Sequence, residues 1–301
     1  MADSKVGAQT PSRETTGLVA TALLGILAGT AVQIAFGFAG ALPDVDPSGQ
    51  YQSFVSNRLL YYGYGWAFAF FGLVVIAFIV ALASILRHRS PTVASAASAL
   101  GVVGAFLIAF AANFYVGALA SIQAAAGAAP GPADATYQAA IISNVSNFST
   151  VFGWLGLGIS MLLLGWLIHR SGLLPDWLRL FAYVGGAAAL TPFLIGAVFP
   201  FASDTPGFPW FSNPGFPIAD TATGFALTLM LFLTAIVLLY RVRPNHLLLP
   251  GIILIVLGVA LFPPYQSVAL LFPFFLLSGA ILVWLSRRRT VKLVVAESTP
   301  K

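Results

Sequence analysis

Ionisable residues are so widely spaced along this chain that the gaps between them limit its possible folds more than any motif does. No Asp, Glu, Lys or Arg occurs in residues 15–43, 59–86, 90–133, 135–169, 180–203, 221–240 or 244–286. A helix needs about 20 predominantly apolar residues to cross the hydrocarbon core of a bilayer, and all seven stretches reach that length. With 8% charged and 59% hydrophobic residues, the chain cannot cover a water-facing globule, whose composition is about 25% charged. The expected fold class is all-α, a polytopic transmembrane helical bundle.

The last stretch, 244–286, is long enough for two crossings. Pro263-Pro264-Tyr265-Gln266-Ser267 lies near its middle, and a proline pair followed by polar residues ends a helix and turns the chain. Eight spans are therefore expected, near 17–38, 65–86, 96–118, 148–169, 179–199, 220–240, 247–262 and 268–286. Residues 1–15 form an N-terminal tail, 16–286 the eight-helix domain, and 287–301 a basic C-terminal tail. The apolar run from Gly17 to Ala41 is longer than the core of a signal peptide. It reads as a retained first helix, although Ala39-Gly40-Ala41 resembles a cleavage site.

Basic residues flanking spans stay on the cytoplasmic side. Eight spans starting inside place every Lys and Arg except Arg58 on that side, whereas Asp44, Asp46, Asp134, Asp204 and Asp220 face outward. A single helix over 244–286 would put Arg287, Arg288 and Arg289 outside. Both termini are therefore expected in the cytoplasm. Helix-end Lys and Arg residues anchor a protein against anionic headgroups, so the basic balance calls for no nucleic-acid partner.

The residue inventory excludes several chemistries. There is no cysteine, hence no thiol nucleophile and no thiolate metal site. His88, His169 and His246 all fall at cytoplasmic helix ends, which leaves no histidine pair at membrane depth for haem. No lysine lies within a span to form a Schiff base, and no cluster of metal-ligating residues occurs. Ion-coupled carriers mark themselves with intramembrane charges. Here only Asp220 comes close, at the outer start of the sixth span, where it reads as a helix N-cap before Thr221 and Thr223. No catalytic residue, metal or cofactor is expected.

Neutral polar residues carry more information. Gln33, Asn113, Asn144, Asn147 and Thr191 fall in or near the outer half of the bundle. Tyr137, Asn144, Asn147 and Trp154 recur near one face at helical spacing. The fourth helix is expected to project outward, starting at Asp134 as its N-cap. The outer connection 200–219 repeats Pro206-Gly207-Phe208-Pro209 as Pro214-Gly215-Phe216-Pro217, a stiff aromatic segment that reads either as an interfacial anchor or as a lid. The polar set itself has two readings: interhelical hydrogen bonds, or a ligand-binding pocket made by Gln33, Asn113, Asn144, Asn147, Trp210, Phe211 and Asp220. Gly25 with Gly29, and Ala97 with Gly101, are small-residue pairs that let helices approach closely, within one chain or between copies.

The stretch Leu164-Gly165-Trp166-Leu167-Ile168-His169-Arg170-Ser171-Gly172-Leu173-Leu174-Pro175-Asp176-Trp177-Leu178 resembles a bacterial family of uncharacterised polytopic membrane proteins, a domain of unknown function. The resemblance covers residues 15–200 and implies a bacterial inner (plasma) membrane; it implies no activity. The functional expectation is a non-enzymatic multi-pass protein that binds or passes a lipid-like or apolar small molecule through an outer-half pocket. The alternative is a structural or accessory subunit of a membrane complex. Expected partners are membrane lipid, with a second copy of the chain or a complex subunit beside it.

The topology is testable because the chain has no cysteine of its own. Single cysteines at Ser4 and Ser298 should resist an impermeant thiol reagent in intact cells, and one at Asp46 should react. Labelling of Ser298→Cys from outside would show an odd number of crossings.

Overall fold

A computed structural model describes residues 13–43, 47–126, 132–198, 218–260 and 275–286. Among them there are helices and short connections and no strand. The elements are α1 (Arg13–Ala41), α2 (Pro47–Ser56), α3 (Arg58–Leu86), α4 (Pro91–Ala126), α5 (Pro132–Ser171), α6 (Leu178–Ala189), α7 (Thr191–Val198), a π-helical turn (Ala219–Thr223) leading into α8 (Gly224–Val242), and α9 (Leu248–Ala260). The last described helix, α10, is Phe275–Ser286. Six described segments are long and apolar enough to cross a membrane, and α9 and α10 contribute shorter apolar helices. The expected turn at Pro263–Ser267 lies outside the described residues. The helices on either side of it pack antiparallel: Gly251 faces Gly279 and Leu282, and Gly258 faces Phe275 and Leu276.

The six long spans form a closed ring. Each packs on its successor, α1 on α3, α3 on α4, α4 on α5, α5 on α6 and α6 on α8, and α8 returns to α1. Neighbours run antiparallel around the ring. Gly25 of α1 meets Phe78 of α3, while Phe38 meets Gly63. Gly104 of α4 meets Gly153 and Leu157 of α5, and Gly165 of α5 meets Tyr183 of α6. The interior is filled mainly by aliphatic side chains and alanines, with a cluster of aromatic rings among them. Phe36 stacks on Trp154 with centroids 6.1 Å apart and meets Phe68 and Phe71 edge-on at 6.1 and 6.5 Å. This links α1 across the ring to α5.

Small residues set the spacing. Gly25 and Gly29 lie on the α1–α8 seam, where a Cβ on Gly29 would stand 2.5 Å from the Phe232 ring. Ala97 and Gly101 lie on the α4–α5 seam: Ser160 donates to the Ala97 carbonyl at 2.7 Å, and a Cβ on Gly101 would meet the same hydroxyl at 2.5 Å. Both pairs therefore serve packing within one chain.

Several local features depart from the sequence-based expectation. The outer connection after α1 contains a helix, α2. Its Phe54 packs with Tyr61, Val116, Leu119 and Ile122 into a second, smaller core. This cap forms because α4 and α5, at 36 and 40 residues, extend about 54 and 60 Å at 1.5 Å per residue, beyond the ~30 Å hydrocarbon layer. Helix α5 begins at Pro132, so Asp134 sits inside its first turn instead of capping it. The fifth span is broken at Leu190. Pro192 has no N–H for the carbonyl of Ala188, and the Thr191 hydroxyl takes that carbonyl instead, at 2.7 Å.

The α4–α5 seam leaves no room for a side chain at Gly104, where an added Cβ would lie 2.4 Å from the Leu157 nitrogen and 2.7 Å from the Gly153 oxygen. Gly104→Val should destabilise the protein by at least ~1–3 kcal/mol, the usual cost of overpacking, read as a lower midpoint of thermal unfolding in detergent. Gly117→Ala, in open space, should be neutral or stabilising by up to ~1 kcal/mol.

Candidate functional site

A lateral cleft of about 740 Å³ lies between the ring and α9. One wall is α1 with Leu23, Ile26, Leu27, Thr30 and Ile34, joined by Phe70 of α3; the other is α9 with Leu249, Pro250, Ile253, Leu254 and Leu257. Thr30 adds no free polarity, because its hydroxyl donates to the Ile26 carbonyl at 2.9 Å. His246 is the remaining polar lining residue. It belongs to the short 3-10 turn Pro244–Leu247 that joins α8 to α9, the end where Arg241 and Arg243 also lie. Leu27, Leu249 and Ile253 are exposed, so the cleft opens sideways, toward the solvent of a membrane span. It is an apolar slot with the imidazole of His246 at its α8–α9 end.

The outer-half polar residues are placed on separate seams. Gln33 donates to the Thr228 hydroxyl at 3.0 Å across α1–α8, and Thr228 donates in turn to the Gly224 carbonyl. Asn113 donates to the Gly65 carbonyl at 2.9 Å across α3–α4. Ser146 donates to Ala111 across α4–α5, and Thr223 to Gly185 across α8–α6. Gln33 and Asn113 thus each bond to a neighbouring helix. Asn147 is half-buried on α5, which also carries Asn144, whose side chain lies outside the described residues. Trp210 and Phe211 lie outside them too.

Asp220 is not the N-cap expected from sequence. The N-cap position is Ile218, and Asp220 lies inside the π-helical turn, a backbone form that is rare and concentrated at functional sites. The turn ends at Gly224, where an added Cβ would stand 2.8 Å from Phe36. The glycine lets α8 approach that ring while the wide turn swings Asp220 inward. Trp154, 1% exposed, stacks on the same Phe36 ring, and Asp220 lies within reach of its indole N–H. Tyr64 of α3 packs its ring on Phe68 at 4.7 Å. The sequence pointed to Asp220 and to Trp154 separately. It held no signal for Tyr64, or for the aliphatic residues of the lateral cleft.

At the opposite end, the Leu164–Leu178 stretch forms a clamped turn. Gly172 adopts φ +64°, the left-handed conformation that glycine enters without strain at a helix C-terminus. Ser171 accepts from the Leu173 N–H, and Arg241 of α8 donates to the Leu173 carbonyl at 2.6 Å. Asp176 meets His169 at 2.6 Å and Arg179 at 2.9 Å. Among the described residues no group of three metal-ligating side chains occurs.

The polar seams should be worth little individually. A double-mutant cycle with Gln33→Leu and Thr228→Val should give a coupling of about 0.6 kcal/mol, the mean for interhelical hydrogen bonds in membranes, measured by unfolding in mixed micelles. A coupling well above ~2 kcal/mol would assign the pair a larger role than joining two helices.

A family model described as Domain of unknown function (DUF4386) matches residues 16–235. No curated protein and no solved structure matches the chain. The matched segment coincides with the six-helix ring and stops within α8, before the α9–α10 pair. The chain belongs to the DUF4386 family.

Proposed function

We propose that this DUF4386 member binds a membrane lipid or lipid-like molecule, with the apolar chain in the lateral cleft between α1, α3 and α9 and the polar head at the His246 end. The observation that carries the reading is the cleft itself: about 740 Å³, walled by aliphatic and aromatic side chains, with its one free polar group at one end. That volume lies within the ~300–1,000 Å³ range of small-molecule sites. Basic residues near the end of a span attract anionic headgroups, and His246 follows Arg241 and Arg243 in sequence. The reading sets the protein in a bacterial inner membrane with both termini in the cytoplasm, supported by the basic asymmetry of the loops.

Leu27 of α1 and Ile253 of α9 both line the cleft and are exposed. Filling the cleft with Leu27→Trp or Ile253→Trp should lower the amount of phospholipid retained after detergent exchange, measured by native mass spectrometry. The same tryptophans should be quenched by lipids brominated on the acyl chain. Unchanged lipid retention in both variants would overturn the cleft as the binding site. A stoichiometric protein partner at that face, with no lipid, would favour the accessory-subunit alternative.

A further inference from the structure

We propose that the α3–α4 hairpin carries a phosphate-binding pocket at the arginine-rich end of the bundle, built from Arg87, Ser84, Ser95 and Ser98, and that the headgroup of an anionic phospholipid fills it. The pocket has a volume of about 280 Å³ and shares no lining residue with the lateral cleft. Its polar residues recur at helical spacing. Ser84 and Arg87 are three apart on α3, and Ser95 and Ser98 three apart on α4, so each pair occupies one helix face. The two faces meet because the helices pack antiparallel, with Gly65 against Asn113, Gly72 against Ala109 and Ile79 against Gly101. Ala83, Ala94 and Ala99 complete the wall. With side chains that short, the hydroxyls border open space instead of a packed seam.

The donors select an anion. Residues 47–133 contain no Asp or Glu, so neither helix of the hairpin offers Arg87 a counter-charge. Both ion pairs among the described residues use Asp176, in the turn between α5 and α6. Ser95 and Ser98 make no side-chain hydrogen bond among the described residues, whereas Ser146 and Ser160 bond across their seams. A planar guanidinium pairs with phosphate through two parallel N–H donors, and two unpaired hydroxyls can reach further oxygens. Ser84 already donates to the Val80 carbonyl at 2.8 Å. Its oxygen can still accept, which suits a headgroup that bears a hydroxyl, as in phosphatidylglycerol. Depth favours a lipid as the source. Arg87 ends the charge-free run 59–86, the level of headgroup phosphates. Val80, 41% exposed, lies about 10 Å further along the helix, where an acyl chain can follow it. The volume falls just below the ~300–1,000 Å³ of small-molecule sites, so the pocket admits a headgroup and leaves the chains in the bilayer.

The probe is dihexanoyl phosphatidylglycerol, titrated into the full-length protein in phosphate-free maltoside micelles and followed by calorimetry. Dihexanoylglycerol, with the same chains and no phosphate, is the control. The phospholipid should bind saturably, and the control should not displace it. Arg87→Gln should weaken the phospholipid by about tenfold or more, the usual worth of charge-assisted hydrogen bonds. Replacing Ser95 and Ser98 together by Ala should cost a few-fold. Arg89→Gln removes an equal charge from the same connection, outside the pocket lining, and should change affinity by less than about threefold. Absence of saturable binding, equal binding of dihexanoylglycerol, unchanged affinity in Arg87→Gln, or an equal loss in Arg89→Gln would each overturn the proposal, the last by reducing it to diffuse attraction. If Arg87→Gln does not fold, the double serine variant set against Arg89→Gln decides. Inorganic phosphate that binds as tightly as the phospholipid would overturn the lipid as occupant and assign a soluble phosphate. Leu27→Trp, which fills the lateral cleft, should leave the loss caused by Arg87→Gln unchanged, so the two sites stand or fall separately.

Discussion

Hydrocarbon removes the force that holds most soluble proteins together: a leucine gains nothing by leaving lipid tails for a protein interior. What remains is close approach of backbones, where dispersion and weak polar contacts add up. In this chain that approach is made at glycines. Gly104, Gly153 and Gly156 bring the backbones of α4 and α5 together, and Gly158 and Gly186 do the same for α5 and α6. Gly25 and Gly29 seat α1 against α8. Gly63 and Gly72 likewise seat α3 against α1 and α4.

Once the backbones are close, hydroxyls and amides on one helix reach carbonyls on the next. Ser160, Ser146, Asn113 and Thr223 each bond to a main-chain oxygen of a neighbouring helix. Such bonds need a separation that only small residues allow. The π-helical turn before α8 follows the same logic. Phe36 occupies the ring centre, Gly224 makes room for it, and the backbone widens in the turn before it. The widened turn leaves Asp220 within reach of the Trp154 indole, so a packing solution at the centre of the ring goes with an acid in its outer half.

Much of this architecture is legible in residue order, and the reasons are physical. Charge is expelled from hydrocarbon, so gaps between charges mark α1, α3, α4, α5, α6 and α8. A proline pair at 263–264 divides the last gap. Glycine and alanine pairs mark seams, and the matched DUF4386 segment agrees with the resemblance carried by the Leu164–Leu178 turn. Other features depend on distances that residue order does not encode. A π-helical turn uses ordinary residues, Ala219–Thr223, and residue order does not show that Gly224, just after it, packs against Phe36 of another helix. The break at Leu190 follows from one proline in a segment otherwise fit for a span. The lateral cleft is lined by Leu and Ile that look the same in sequence as their packed neighbours. At the outer face, Gln33 and Asn113 were legible as polar residues, but the helix each one bonds to is decided by how the ring closes.

The closure between α1 and α8 carries a consequence for how the protein is made. Helices leave the ribosome in order, and α1 emerges some two hundred residues before the helix that completes its packing. Until then one flank of α1, including Gly25, Gly29 and Gln33, faces lipid or the insertion machinery with its seam unfilled. The nascent chain is thus an open arc for most of its synthesis and becomes a ring in one late step, when α8 enters. A long delay between first and last partners is the condition under which chains go astray. Quality control of this protein would accordingly act on the exposed flank of its first helix, well after that helix has been inserted.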